Sequence, residues 1–192
     1  MEHSADLDAL LSRVAGDVVQ EFAAKGLNAD GLSISVVDLT RRTEGAALAA
    51  GSYRGEVAYY PASVVKAFYL AYYESRKEAG SLTDTPELAR AVHDMITVSS
   101  NDATGFVVDS ITDTTSGPEI ATQRKWKKWM EKRNAVNRFF AARGYRDLNA
   151  NQKTFCEDAY GRERVSRGPN GENRNKLTTD AVARLMMEIV TG

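Results

Sequence analysis

Two polar stretches of this chain hold residue types that do acyl-transfer chemistry. The first is Tyr60-Pro61-Ala62-Ser63-Val64-Val65-Lys66-Ala67-Phe68. Pro61 interrupts an extended run, and the spacing predicts a helix that starts at about Ser63 and continues through Ala71, Tyr72 and Tyr73 to near Gly80. Residues three apart share a helix face, so the Lys66 amine is expected within reach of the Ser63 hydroxyl. The free N–H groups of a helix start favour developing negative charge, and partial burial favours a neutral amine. A neutral lysine beside a serine is a general base beside a nucleophile. The same two residues also fit a capping serine and a solvated lysine. The second stretch weighs against that reading: Thr97-Val98-Ser99-Ser100-Asn101-Asp102-Ala103-Thr104 is a polar cluster between two helical patterns.

Composition narrows the field. The chain has 192 residues, a formal net charge of −1 and 43% hydrophobic residues, as expected of one domain with a sizeable core. A near-neutral balance gives no global pull toward nucleic acid or anionic lipid. Cys156 is the single cysteine, which excludes an intrachain disulfide and a cysteine-rich metal site; it reads as a small buried apolar residue. His3 and His93 are the only histidines and stand far apart, so neither a histidine triad nor a zinc site is expected. No metal ligands and no organic cofactor are expected. The first residues lack a secretory signal pattern, and no run is apolar enough to span a membrane.

The elements that must position these residues follow from periodicity. An amphipathic helix is predicted from about Ser4 to Lys25, with Leu7, Leu10, Leu11, Val14, Val18 and Phe22 inward and Gly26 at its end. A strand is predicted over 31–39, a turn over 40–45 and an antiparallel second strand over 46–50. Helices are predicted over 86–96, with Thr85 as cap and Leu88, Val92, Met95 and Ile96 on one face, and over 103–111. His93 reads as an ordinary helix residue. One long basic helix is predicted over 120–144, with Trp126, Met130, Val136 and Phe140 inward and its lysines and arginines solvated. Residues 145–176 lack periodicity and read as a long functional loop. A final helix is predicted over 181–190, with Val182, Leu185, Met186 and Ile189 inward.

With Ser63-Val64-Val65-Lys66 and Ser99-Ser100-Asn101 both present in these settings, the chain resembles the serine β-lactamase and penicillin-binding-protein superfamily, in particular its class A β-lactamase-like members. The surroundings Met95 to Thr104 and the stretch Leu177-Thr178-Thr179-Asp180-Ala181-Val182 extend the likeness over nearly the whole chain. The resemblance implies an α+β fold: an antiparallel sheet flanked by helices, with a mostly helical subdomain. Residues 1–192 would form a single incomplete domain, with a helix and two sheet strands in 1–60 and a helical part with the long loop in 61–192. It further implies that Ser63 forms an acyl-enzyme, that Lys66 takes its proton, that Ser99 relays a proton to the departing amine, and that Asn101 hydrogen-bonds the substrate amide or Lys66. The Ser63 backbone N–H would form half of an oxyanion hole, worth about 3 kcal/mol per donor.

The pattern departs in three places. Ser100 stands where β-lactamases commonly have aspartate. A Glu-x-x-Leu-Asn loop that orients a deacylating water is not recognisable; Glu163 is the nearest glutamate to that position and Glu157 the other candidate. No Lys-Thr-Gly exists, since Lys153-Thr154 is followed by Phe155. The resemblance implies that the strands carrying it would come after Gly192, so that either they are expected as a further segment or a second chain, or the fold is expected to be rearranged. The expected activity is that of a serine hydrolase opening β-lactam rings at Ser63. The alternatives are a penicillin-binding D,D-peptidase, transpeptidase or esterase, and a catalytically silent binding module. The expected partner is a small β-lactam or peptidoglycan-like substrate, not nucleic acid. By resemblance the expected location is periplasmic or secreted.

Overall fold

The computed structural model describes residues 1–40 and 47–192. Most of the predicted turn over 40–45, and the first residue of the predicted second strand, lie outside the described residues. In chain order the helices are α1 (Ala5–Phe22), α2 (Val65–Glu78), α3 (Pro86–Thr97), α4 (Asn101–Thr112), α5 (Gln123–Arg133), α6 (Ala135–Ala141), α7 (Gly161–Arg167) and α8 (Thr179–Thr191). The strands are β1 (Glu2–His3), β2 (Ile34–Val37), β3 (Ala49–Tyr53), β4 (Ala58–Tyr59) and β5 (Leu177–Thr178). The architecture is mixed α+β, dominated by helices. The chain divides into two compact units, Met1–Tyr59 with Thr178–Gly192, and Tyr60–Leu177. The final helix therefore belongs with the first unit, not with the helical part that precedes it in sequence.

In the first unit a three-stranded sheet has the order β1-β3-β2. The predicted antiparallel pair is present, with Ile34 opposite Tyr53 and Val37 opposite Ala50. The second strand runs over Ala49–Tyr53, further along the chain than its alternation suggested, and the two-residue β1 adds a parallel edge. Ser4 caps α1, its hydroxyl accepting from the Leu7 N–H at 3.4 Å. α1 packs on β3, and Leu11 and Ala15 are its buried residues. At Gly51 an added Cβ would stand 2.5 Å from the Leu7 Cβ, so only glycine allows the helix to lie this close to the strand. Leu10 and Val14, expected inward, are exposed, as are Met186 and Ile189 of α8. Leu185 carries the buried face of α8, and Ser35 donates to Asp180 at 2.6 Å.

The second unit is the helical one. α2, α3 and α4 bury Val65, Phe68 and Tyr69, Leu88, Val92 and Met95, and Val107, Val108 and Ile111 respectively, each worth about 1.5–3 kcal/mol as a fully buried side chain. Thr85 caps α3 by accepting from Leu88 N–H at 3.1 Å. Ile96, expected on the apolar face, is exposed. Phe68, Phe140 and Tyr145 form an aromatic cluster with ring centroids 4.8 to 6.3 Å apart.

The predicted long helix over 120–144 is two helices, α5 and α6, broken at Asn134. The Asn134 side chain accepts from Asn137 at 3.1 Å and from Asn151 at 2.7 Å, which ties the junction to the 149–152 stretch. Trp129 is the buried tryptophan, its indole N–H donating to the Thr115 carbonyl at 3.0 Å, while Trp126 stacks on it from outside.

Residues 145–176 contain the helix α7 and are held by asparagines in place of a strand ladder. Asn175 Oδ1 accepts from the backbone N–H groups of Asn151 (3.1 Å) and Gln152 (2.9 Å), and its Nδ2 donates to the Gln152 carbonyl at 2.8 Å. These groups are buried, so Asn175→Ala leaves orphaned donors and should cost about 1–3 kcal/mol. Amide hydrogen exchange at Asn151 and Gln152 measures it; unchanged protection there would show that the asparagine does not hold the segment.

Candidate active site

The nucleophile candidate is placed by a tight turn. Pro61 is followed by Ala62 in the left-handed region, φ 45, and a 3-10 turn over Ala62–Val64 leads into α2 at Val65. Ser63 and Lys66 thus sit one turn apart where a 3-10 turn becomes an α-helix. Ser99 is set by the junction of α3 and α4. α3 ends at Thr97, and Ser100 caps α4 by accepting from the Ala103 N–H at 3.2 Å. Between these ends Ser99 is held at φ 55, a conformation costing a non-glycine residue about 1–2 kcal/mol. Left-handed backbone on both sides of the cluster is the kind of local strain that the surrounding packing must enforce.

The side chains converge on Lys66. Its Nζ lies 3.2 Å from Ser63 Oγ, 2.9 Å from Ser99 Oγ, 2.6 Å from the Ser99 carbonyl oxygen and 2.9 Å from Asn101 Oδ1. Ser99 Oγ donates to Ser63 Oγ at 2.9 Å. Asn101 also reaches the Phe155 carbonyl, its Nδ2 donating at 3.5 Å. The arrangement accommodates the neutral amine fully. As an ammonium Lys66 donates in these contacts. As a neutral amine it would keep two N–H groups for the Ser99 carbonyl and Asn101 Oδ1 and turn its lone pair to the Ser63 hydroxyl, with Ser99 donating to the Ser63 oxygen.

Lys66 is only 2% exposed. Burial pushes its pKa below the ordinary lysine value of 10.5, partly offset by the nearby Cys156 sulfur. The neutral amine is the form that accepts a proton, so any reaction it drives should rise with pH and level off once Lys66 is deprotonated. We expect the midpoint of that rise below 10.5. The rate of covalent modification at Ser63 against pH reads it directly, and a midpoint at or above 10.5 would remove burial of Lys66 from the account.

The structure brings Ser63, Lys66, Ser99 and Asn101 together and leaves Glu163 out of their contacts. Glu163 is fully buried in α7, bound by Arg133 through two N–H···O contacts of 2.8 and 3.1 Å and by the Ser116 hydroxyl at 2.8 Å. Arg133, also 0% exposed, pairs with Asp109 at 2.9 Å as well, and Lys153 bridges Asp109 (2.5 Å) and Ser116 (2.7 Å). Glu157 is exposed and Cys156, expected buried, is exposed too, with its thiol 3.8 Å from Asp102.

Periodicity gave no hint of this ion network, because Arg133 sits within a run of solvated basic residues. The asparagine-rich spacing of 149–152 and 173–175 was the one available signal that the long loop is ordered. Among the described residues no cluster of His, Cys, Asp and Glu could hold a metal ion, and no helix is long and apolar enough to cross a membrane. No family model, curated protein or solved structure matches this chain.

Proposed function

We propose that this chain carries the acylation centre of a serine acyl-enzyme hydrolase of the β-lactamase type, within the β-lactamase and transpeptidase-like fold that its motifs resemble. The observation that supports it is the placement of one buried amine within hydrogen-bond distance of two serine hydroxyls and an asparagine, with the two hydroxyls in contact. Neutral Lys66 takes the Ser63 proton as Oγ bonds to the substrate carbonyl carbon. The carbon–nitrogen bond of the lactam or amide then breaks. The departing nitrogen takes the Ser99 hydroxyl proton, and the Lys66 ammonium returns a proton to Ser99. The product is an ester at Ser63, which water must hydrolyse.

One observation favours a second outcome of the same chemistry. The partners of Lys66 among the described residues are hydroxyl, carbonyl and amide oxygens, and Glu163 is committed to Arg133. Without a carboxylate to orient water the ester would persist, as in a penicillin-binding D,D-peptidase. In either case the substrate is a β-lactam or a peptidoglycan-like amide, and the compartment would be periplasmic or extracellular.

Labelled penicillin followed by intact mass spectrometry is the test. A covalent adduct on the native chain and none on Ser63→Ala is expected. Turnover marks a β-lactamase and a lasting adduct a peptidase. A native chain that forms neither adduct nor product is a silent module, and an adduct that survives Ser63→Ala removes Ser63 from the mechanism.

A further inference from the structure

The polar cavity beside the cluster holds two charges that have no ion-pair partner among the described residues. It encloses about 200 Å³ and is lined by Tyr60, Phe155, Glu157, Asp158, Arg167 and Arg174 among others. Tyr60 precedes Ser63 by three residues, and the Phe155 carbonyl accepts from Asn101, which also binds Lys66. Three of the lining charges are already neutralised: Arg167 and Asp158 pair with each other at 2.6 Å, and Lys153 pairs with Asp109, outside the lining, at 2.5 Å. Arg174 and Glu157 form no ion pair among the described residues, with each other or with anything else.

Arg174 is nonetheless held in place, its guanidinium 4.5 Å from the centre of the Tyr60 ring. That contact uses no ion pair, so the guanidinium N–H groups stay available for the two oxygens of a carboxylate. Glu157 supplies the opposite charge on the same cavity. A cation and an anion that share one small polar cavity without meeting fit a ligand group with both charges.

We propose that this cavity is a subsite for the zwitterionic end of an acyl donor, an α-amino acid group whose carboxylate binds Arg174 and whose ammonium binds Glu157. The subsite rests on the acylation reading for its purpose but not for its existence. A purely anionic group would meet Glu157, and a purely cationic one Arg174.

Three penicillins that differ only in the acyl side chain separate the possibilities: phenylacetyl (uncharged), adipyl (carboxylate only) and aminoadipyl (zwitterionic). With the native chain the second-order rate constant for adduct formation should be about tenfold or more higher for aminoadipyl than for phenylacetyl, the size of one net charge-assisted contact. Arg174→Ala should lower the aminoadipyl and adipyl rates about tenfold and leave phenylacetyl unchanged. Glu157→Gln should lower aminoadipyl alone.

Equal rates for all three donors, or an Arg174→Ala loss common to all three, overturns the subsite. A preference for adipyl that equals that for aminoadipyl, unaffected by Glu157→Gln, overturns its zwitterionic character. Should no donor acylate, equilibrium binding to Ser63→Ala by calorimetry decides. Binding of the aminoadipyl compound that is lost in the Ser63→Ala/Arg174→Ala double variant keeps the subsite while the acylation reading falls. No preference among the three compounds overturns it.

Discussion

Lys66→Ala is expected to slow acylation at Ser63 by about 10²–10⁴-fold, the usual contribution of a positioned general base. The exchange removes the amine in contact with Ser63 Oγ and deletes four hydrogen bonds at once. The size alone does not separate a base from a positive charge that merely steadies the transition state. Lys66→Arg does, because arginine keeps the charge and cannot give up its proton at any ordinary pH. Loss in both variants, with the native rise of rate with pH abolished, is the result expected of a base. Recovery of most of the rate in Lys66→Arg would instead assign Lys66 an electrostatic part and leave the proton acceptor to be found. Rates of adduct formation by mass spectrometry, on variants whose circular dichroism matches the native chain, give the comparison.

Arg133→Met should destabilise the fold by about 3–5 kcal/mol, a large share of the 5–15 kcal/mol typical of a domain. The reason is the partner left behind. Glu163 is fully buried, and its two carboxylate oxygens take their bonds from Arg133 and Ser116. Without the guanidinium it must either stay charged in a low-dielectric interior or take up a proton, and both cost free energy. Arg133→Met/Glu163→Leu, which removes both charges, should recover much of the loss, and urea midpoints measure all three.

The same series tests whether Glu163 has a catalytic part. Glu163→Gln should weaken the fold and leave the acylation rate and the fate of the adduct unchanged. A native chain that turns penicillin over beside a Glu163→Gln variant that accumulates the adduct would restore Glu163 as the residue that activates water. The buried pair is thus a structural support that carries a mechanistic question.

What the sequence determined by itself was local. Ser63 and Lys66 are three residues apart on one helical turn, so their contact follows from backbone geometry, and the caps at Thr85 and Ser100 follow from side-chain chemistry within three residues. The antiparallel pair was legible from alternation along two neighbouring stretches, while the α+β class was what the resemblance implied. Placing Ser99 and Asn101 on Lys66 joins residues 33 and 35 positions apart, and only the packing of α2 against α4 and the left-handed turn at Ser99 decide it. The resemblance anticipated that convergence; periodicity could not. The break at Asn134, the burial of Arg133 inside a run of basic residues and the pairing of Glu163 are likewise decided in three dimensions. Each depends on a partner distant in sequence, and a charged side chain goes inside only where the rest of the fold supplies its counter-charge.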